Sequence, residues 1–105
     1  MTLEITDQNY ASLLPTDGQP TIIDFMADWC APCKPVGVIL EALSNEYKDQ
    51  VVIGKVNVDI NPELVSKFGI RNMPTILYLK GGEVLDKQVG ATSKRVLEEK
   101  LRVLL

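Results

Sequence analysis

No stretch constrains the fold of this chain more than Thr21-Ile22-Ile23-Asp24-Phe25-Met26-Ala27. It is rich in β-forming residues and, Asp24 excepted, apolar on both of the faces that alternate along a strand, so it reads as a central strand covered on both sides. The covering elements follow from the spacing of apolar residues elsewhere. From about Cys33 to Tyr47, residues Val36, Ile39, Leu40, Leu43 and Tyr47 fall on one stripe, which predicts an amphipathic helix. Asp7 can cap a short helix that carries Tyr10, Leu13 and Leu14 and stops at Pro15. Val51 to Asp59 is a second long apolar strand, followed by Asn61 as N-cap, Pro62 at the first helical position and Gly69 as the C-terminal stop of another helix. Pro74 opens the strand Thr75 to Leu79, and Gly81-Gly82 supplies the two-residue turn of an antiparallel hairpin running on to Val89. Gly90 ends that strand, after which Thr92 or Ser93 caps a helix with Leu97, Leu101 and Leu104 on one face.

With a weak first strand around Leu3 to Ile5, the order is β-α-β-α-β-α-β-β-α, an α/β arrangement. Strands alternating with helices predict a largely parallel sheet covered on both faces, with one antiparallel hairpin at the end. At 105 residues, with no repeat or linker, the chain is expected to form a single domain over residues 1–105. The net charge of −3 and the scattered Lys and Arg leave no surface for neutralising phosphates, which excludes nucleic acid as a natural partner. No apolar run reaches the roughly 18 to 20 residues that span a bilayer, and Met1-Thr2-Leu3-Glu4-Ile5 has no features of a leader. A cytoplasmic protein without membrane contact is expected, and a monomer.

The chain has two cysteines, Cys30 and Cys33, and no histidine. A pair so close in sequence closes almost no loop and is a poor structural staple, so its chemistry is expected to be redox or metal binding. A zinc site normally needs four ligands, which one copy of this chain lacks, so no metal is expected. Strand and helix meet at the pair, which places Cys30 at the mouth of a helix, where unpaired N–H groups and the positive dipole end favour a thiolate by about 0.3 to 1 kcal/mol, and up to about 2 when partly buried. Residues three apart near a helix start bring their Cβ atoms within reach of disulfide geometry, so the pair can close and reopen. Pro32 stiffens the turn at a place where a missing N–H costs nothing. On this reading Cys30 attacks and Cys33 resolves.

Trp29-Cys30-Ala31-Pro32-Cys33-Lys34 resembles the active-site motif of the thioredoxin family, with Ala31 where the family usually has glycine. Asp24-Phe25, Lys55 to Asp59, Gly69-Ile70-Arg71, Met73-Pro74-Thr75 and Val89-Gly90 match further family landmarks in order, so the likeness covers nearly the whole chain. It implies a thioredoxin fold, a central mixed sheet flanked by helices on both faces, with Cys30 at the surface, Cys33 beneath it and Pro74 in the cis form facing them. It also implies a substrate-docking surface of Trp29, Ala31, Pro32, Met73, Pro74 and Gly90, in which the Met73 backbone pairs with an extended client segment. A core role for Trp29 is the alternative. Asp24 is the polar exception in a buried strand, where a carboxyl resists ionisation, and it is the candidate base for the Cys33 proton, with Lys55 on the neighbouring strand modulating its charge. A solvent-facing Asp24 and a merely exposed Lys55 are the alternatives. Met26 stands where the family often has tryptophan, Val38 where it often has proline, and Pro35 is expected to move a helix kink towards the cysteines.

The activity implied is protein disulfide reduction by dithiol/disulfide exchange, without a cofactor of the chain's own. The partners implied are disulfide-containing client proteins and a separate flavoprotein reductase using NADPH. A thiol oxidase or disulfide isomerase of an oxidising compartment uses the same fold and chemistry, and a redox-insensitive docking module is the non-enzymatic alternative. The Cβ of Ala31 restricts the turn between the cysteines relative to glycine. Ala31→Gly is therefore expected to shift the equilibrium of the pair against a glutathione buffer while disulfide exchange stays detectable. Loss of all exchange in a folded variant would give Ala31 a larger role.

Overall fold

The computed structural model describes residues 1–105 and contains a single five-stranded sheet. The elements are β1 (Leu3–Glu4), α1 (Tyr10–Leu13), β2 (Thr21–Met26), α2 (Cys33–Glu46), β3 (Val52–Asn57), α3 (Pro62–Phe68), β4 (Thr75–Lys80), β5 (Glu83–Val89) and α4 (Lys94–Leu104), in the order expected. The strands lie in the order β1-β3-β2-β4-β5, so β2 is central. No helix is long and apolar enough to cross a membrane.

β2 is buried along nearly its whole length, and its alternating side chains feed two separate cores. Ile22 joins Val36, Leu40 and Leu43 of α2, Ile76 and Tyr78 of β4, and Leu97 and Leu101 of α4. Ile23 and Phe25 face the other way, onto Ile5, Val56, Leu64, Leu77 and Leu79, with Tyr10 of α1 and Phe68 of α3 at the margin. Phe68 meets Phe25 and Tyr10 edge-on, with ring centroids 5.9 and 5.8 Å apart. Each core is what a strand apolar on both faces requires.

The sheet is mixed to a greater degree than the alternation of elements suggests. β2 pairs parallel with β3, and β3 with β1, but β4 runs antiparallel to β2 as well as to β5. The reason is length: α3 has seven residues, a rise of about 10 Å, against about 20 Å for a six-residue strand. The chain therefore re-enters the sheet from the end at which it left.

One local expectation is corrected. Asp7 does not cap α1, whose entry is held instead by a reciprocal pair in which Thr6 N–H donates to Asn9 Oδ1 (2.7 Å) and Asn9 N–H to Thr6 Oγ1 (3.2 Å). Asp7 caps α3, accepting from the N–H groups of Glu63 (3.1 Å) and Leu64 (2.9 Å). Asn61 holds the N-cap position of α3, but its side chain accepts from Asp7 N–H (2.9 Å) and donates to the Asn57 carbonyl (2.9 Å). Pro35 lies within α2, which runs from Cys33 to Glu46. It sits in the first turn, where an N–H has no intrahelical partner, and the Ala31 carbonyl already accepts from Lys34 N–H (3.2 Å). Gly69, by contrast, ends α3 in the left-handed region at φ 63°, as expected, and Ser93 caps α4 by accepting from Val96 N–H.

Asp7 thus ties the N-terminal segment to a helix more than fifty residues away. Asp7→Ala is expected to cost about 1 to 2 kcal/mol in denaturant unfolding, the usual value of an N-cap. An unchanged midpoint would show that water replaces this cap without loss.

Candidate active site

Four segments meet at one end of the sheet. Met26 lies opposite Asn57 in the parallel pair, so the chain after β2 and the chain after β3 emerge together. Thr75 lies opposite both Phe25 and Val89, which brings Met73-Pro74 and Gly90 to the same edge. The carboxyl ends of parallel strands are where open α/β sheets carry their sites.

After β2 the backbone tightens into successive turns: Cys30 N–H donates to the Ala27 carbonyl (3.1 Å), and Cys33 N–H to the Cys30 carbonyl (3.2 Å). These wind into α2, with Pro32 at φ −68° contributing no donor. Cys30 and Cys33 are joined by a disulfide, with their Cα atoms 5.4 Å apart. Both are only 4% exposed. Cys30 was expected at the surface; joined to Cys33 it is as buried as its partner, and Trp29, Ala31 and Pro32 are the exposed residues around it.

Trp29 is 67% exposed, so it is not a core residue. Its indole N–H donates to Asp59 Oδ2 (2.9 Å), and Asp59 N–H in turn donates to Asn57 Oδ1 (3.0 Å). Asp59 had no place in the sequence reading of the site; the signal for it lies in the parallel pairing of β2 with β3, which a strand-by-strand reading does not supply. Met26 and Val58 are further additions: with Met73 they pack against the cluster of Ala27, Cys30 and Cys33. The Met73–Pro74 bond is cis. Pro74 itself is buried, and its carbonyl accepts from Gly90 N–H (2.8 Å). It therefore shapes the surface from below, while Met73 and Gly90 are half-exposed.

Asp24 shares the face of β2 that carries Ile22 and looks towards α2. It is 3% exposed, and one carboxyl oxygen, Oδ1, has no hydrogen-bond partner. Burial pushes its pKa up to about 7, against an opposing pull from the Lys55 charge. Lys55 is its register partner on β3, exposed and without an ion pair to it within 4 Å. Both border a cavity of about 320 Å³ whose other walls include Thr2, Lys34, Gly37 and Glu41. The expected carboxyl is therefore buried as read, and Lys55 acts on it through space from the solvent side.

A family model described as Thioredoxin matches residues 1–103. The chain belongs to the thioredoxin family. It is 39% identical over 98 residues to "Thioredoxin" of Chlorobaculum thiosulfatiphilum, covering 93% of this chain and 91% of that one. It is 41% identical over 98 residues to "Thioredoxin 2" of Chlorobaculum tepidum, covering 93% and 90%. It is also 41% identical over 97 residues to "Thioredoxin" of Buchnera aphidicola, covering 92% and 90%. The mixed sheet with its four helices is the thioredoxin fold, and family membership with the Cys30–Cys33 pair makes the chain a thiol-disulfide oxidoreductase acting on disulfide clients.

The buried carboxyl makes this thioredoxin fold pH-sensitive in a defined direction. The folded pKa of Asp24 lies above the unfolded one, so the native state binds the extra proton and stability falls as pH rises from about 4 to about 7, levelling off above. A rise from 3.8 to about 7, at about 1.4 kcal/mol per unit, is worth about 4 kcal/mol. Asparagine cannot ionise, so Asp24→Asn should gain on wild type by about that much more at pH 8 than at pH 3 in denaturant unfolding. Equal differences at the two pH values would mean that Asp24 ionises without cost.

Proposed function

We propose that the chain reduces protein disulfides in two steps, with Cys30 as the attacking sulfur and Cys33 as the resolving one. The observation that carries this reading is the asymmetry at the start of α2: Cys33 is its first residue, whereas Cys30 precedes it, flanked by the exposed Trp29, Ala31 and Pro32. In the reduced form the Cys30 thiolate attacks a client sulfur, a mixed disulfide forms, and the displaced client thiolate takes up a proton. Cys33 then gives up its proton and attacks the Cys30 sulfur; the second client thiolate leaves and the Cys30–Cys33 bond is restored. The client gains two electrons and the cysteine pair loses two.

Asp24 is the base for the Cys33 proton, directly or through water. Its burial and its pKa of about 7 support this, since a base poised near the working pH both accepts and releases a proton. Lys55 tunes that carboxyl from the adjacent strand. Clients dock as an extended segment against the Met73 backbone, over Trp29, Ala31, Pro32 and Gly90, with Pro74 beneath. The whole of residues 1–105 acts as one domain and as a monomer in the cytoplasm, where a closely spaced cysteine pair is catalytic rather than structural. The disulfide is reopened by a separate flavoprotein reductase using NADPH, and the chain holds no cofactor itself.

Trapping tests the assignment of roles. Cys33→Ser should accumulate a client mixed disulfide through Cys30, whereas Cys30→Ser should be inactive and trap nothing. Mass spectrometry that finds Cys33 as the main attacking sulfur of the wild type would overturn it.

A further inference from the structure

The three methionines of the chain are unevenly placed. Met1 is 83% exposed at the N-terminus. Met26 and Met73, both half-buried, pack against the cluster that holds Cys30 and Cys33. The redox pair is thus bordered by two thioethers to which the exchange mechanism assigns no chemistry. They differ in setting. Met26 ends β2, where the backbone is paired and its carbonyl accepts from Val58 N–H (2.9 Å). Met73 lies in the connection before β4, next to the exposed Arg71 and Asn72, and also packs on the core beneath α3. A thioether is soft, apolar and oxidisable, and its sulfoxide is polar and accepts hydrogen bonds.

We infer that Met73 is a peroxide-sensitive modification site that controls the exchange activity of Cys30 and Cys33. The Met73 sulfur attacks the terminal oxygen of a hydroperoxide; the O–O bond breaks, an S–O bond forms, and the proton of that oxygen passes to the departing one, which leaves as water or an alcohol. The sulfur is oxidised by two electrons and the peroxide reduced by two. An oxygen bearing partial negative charge then stands against the cluster that must hold the Cys30 thiolate. It disfavours that anion and makes an apolar contact polar, so attack slows. The inference rests on the reading of Cys30 as the attacking thiolate. It concerns the oxidised form first, because there the cysteines are already joined and the thioethers are the reducing groups left beside them.

The experiment treats the full chain, with its disulfide closed, with hydrogen peroxide, removes the peroxide with catalase and reopens the disulfide with dithiothreitol under conditions that leave sulfoxides intact. Peptide mass spectrometry gives the sulfoxide fraction at each methionine. Two rates are then measured, reduction of insulin and alkylation of Cys30 by iodoacetamide, each protein being compared with its own untreated sample. Wild type should lose at least about fivefold in both rates, in proportion to Met73 sulfoxide, the effect of about 1 kcal/mol at the site. Met26→Leu should lose as much as wild type, and Met73→Leu less than about twofold, since leucine offers no sulfur to oxidise. Full Met73 sulfoxidation with both rates unchanged, Met73 left intact while Met1 is fully oxidised, or an equal loss in Met73→Leu would each overturn the inference. Failure of untreated wild type to reduce insulin would instead sink the disulfide-reductase reading, with the alkylation rate still deciding the role of Met73.

Discussion

Everything in this structure hangs on β2 being buried on both faces. A strand with water on neither side can satisfy its backbone only through neighbours, and β3 and β4 pair with it along its length. Its side chains can be covered only by separate layers, which α2 and α4 supply on one face and α1 and α3 on the other. The point where β2 ends is therefore held from both sides of the sheet, and it is there that the chain turns through Trp29 into Cys30. The cysteine pair inherits its rigidity from the strand that delivers it, which suits a site whose two sulfurs must meet repeatedly in one geometry.

That same burial creates the main conflict in the molecule. A strand of this kind calls for an apolar residue at position 24, and the chain places a carboxyl there with one oxygen unpartnered. Local violations of packing rules that persist against a stability cost are expected where function needs them. The cavity bordered by Asp24 and Lys55 gives the carboxyl a polar outlet on the α2 side, so the charge is resisted but not sealed off. Burial and ionisation pull in opposite directions at this one residue.

A second theme is the capping of elements by residues distant in sequence. Asp7 and Asn61 both carry side chains suited to capping the helix that follows them, and each serves the other's segment instead. The exchange closes the α1 side of the sheet onto α3, beneath the Phe25, Phe68 and Tyr10 rings. Trp29 and Asp59 repeat the pattern at the active-site end, where the residue before Cys30 is steadied by the residue two beyond the end of β3.

Element types, their order, the central place of β2 and the position of the cysteines at a strand-to-helix junction were legible in the sequence, because each rests on a local signal: period-two or period-3.6 apolar spacing, glycine at positive φ, proline at helix starts. The pKa direction of Asp24 was legible for the same reason, since a lone carboxyl in a strand apolar on both faces has no solvent to reach. Other features were decided only in three dimensions. The antiparallel entry of β4 depends on how far α3 carries the chain; the partners of Asp7, Asn61 and Trp29 depend on which ends of the sheet coincide; and the covering of Cys30 and Pro74 depends on what closes over them. Hydrogen-bond partners distant along the chain carry no address in the sequence, unlike the local bonds of Ser93 with Val96 and of Thr6 with Asn9. The long-range bonds of Asp7 and Trp29 form with groups that tertiary packing brings within about 3 Å, and those are fixed by the sheet order, not by neighbours along the chain.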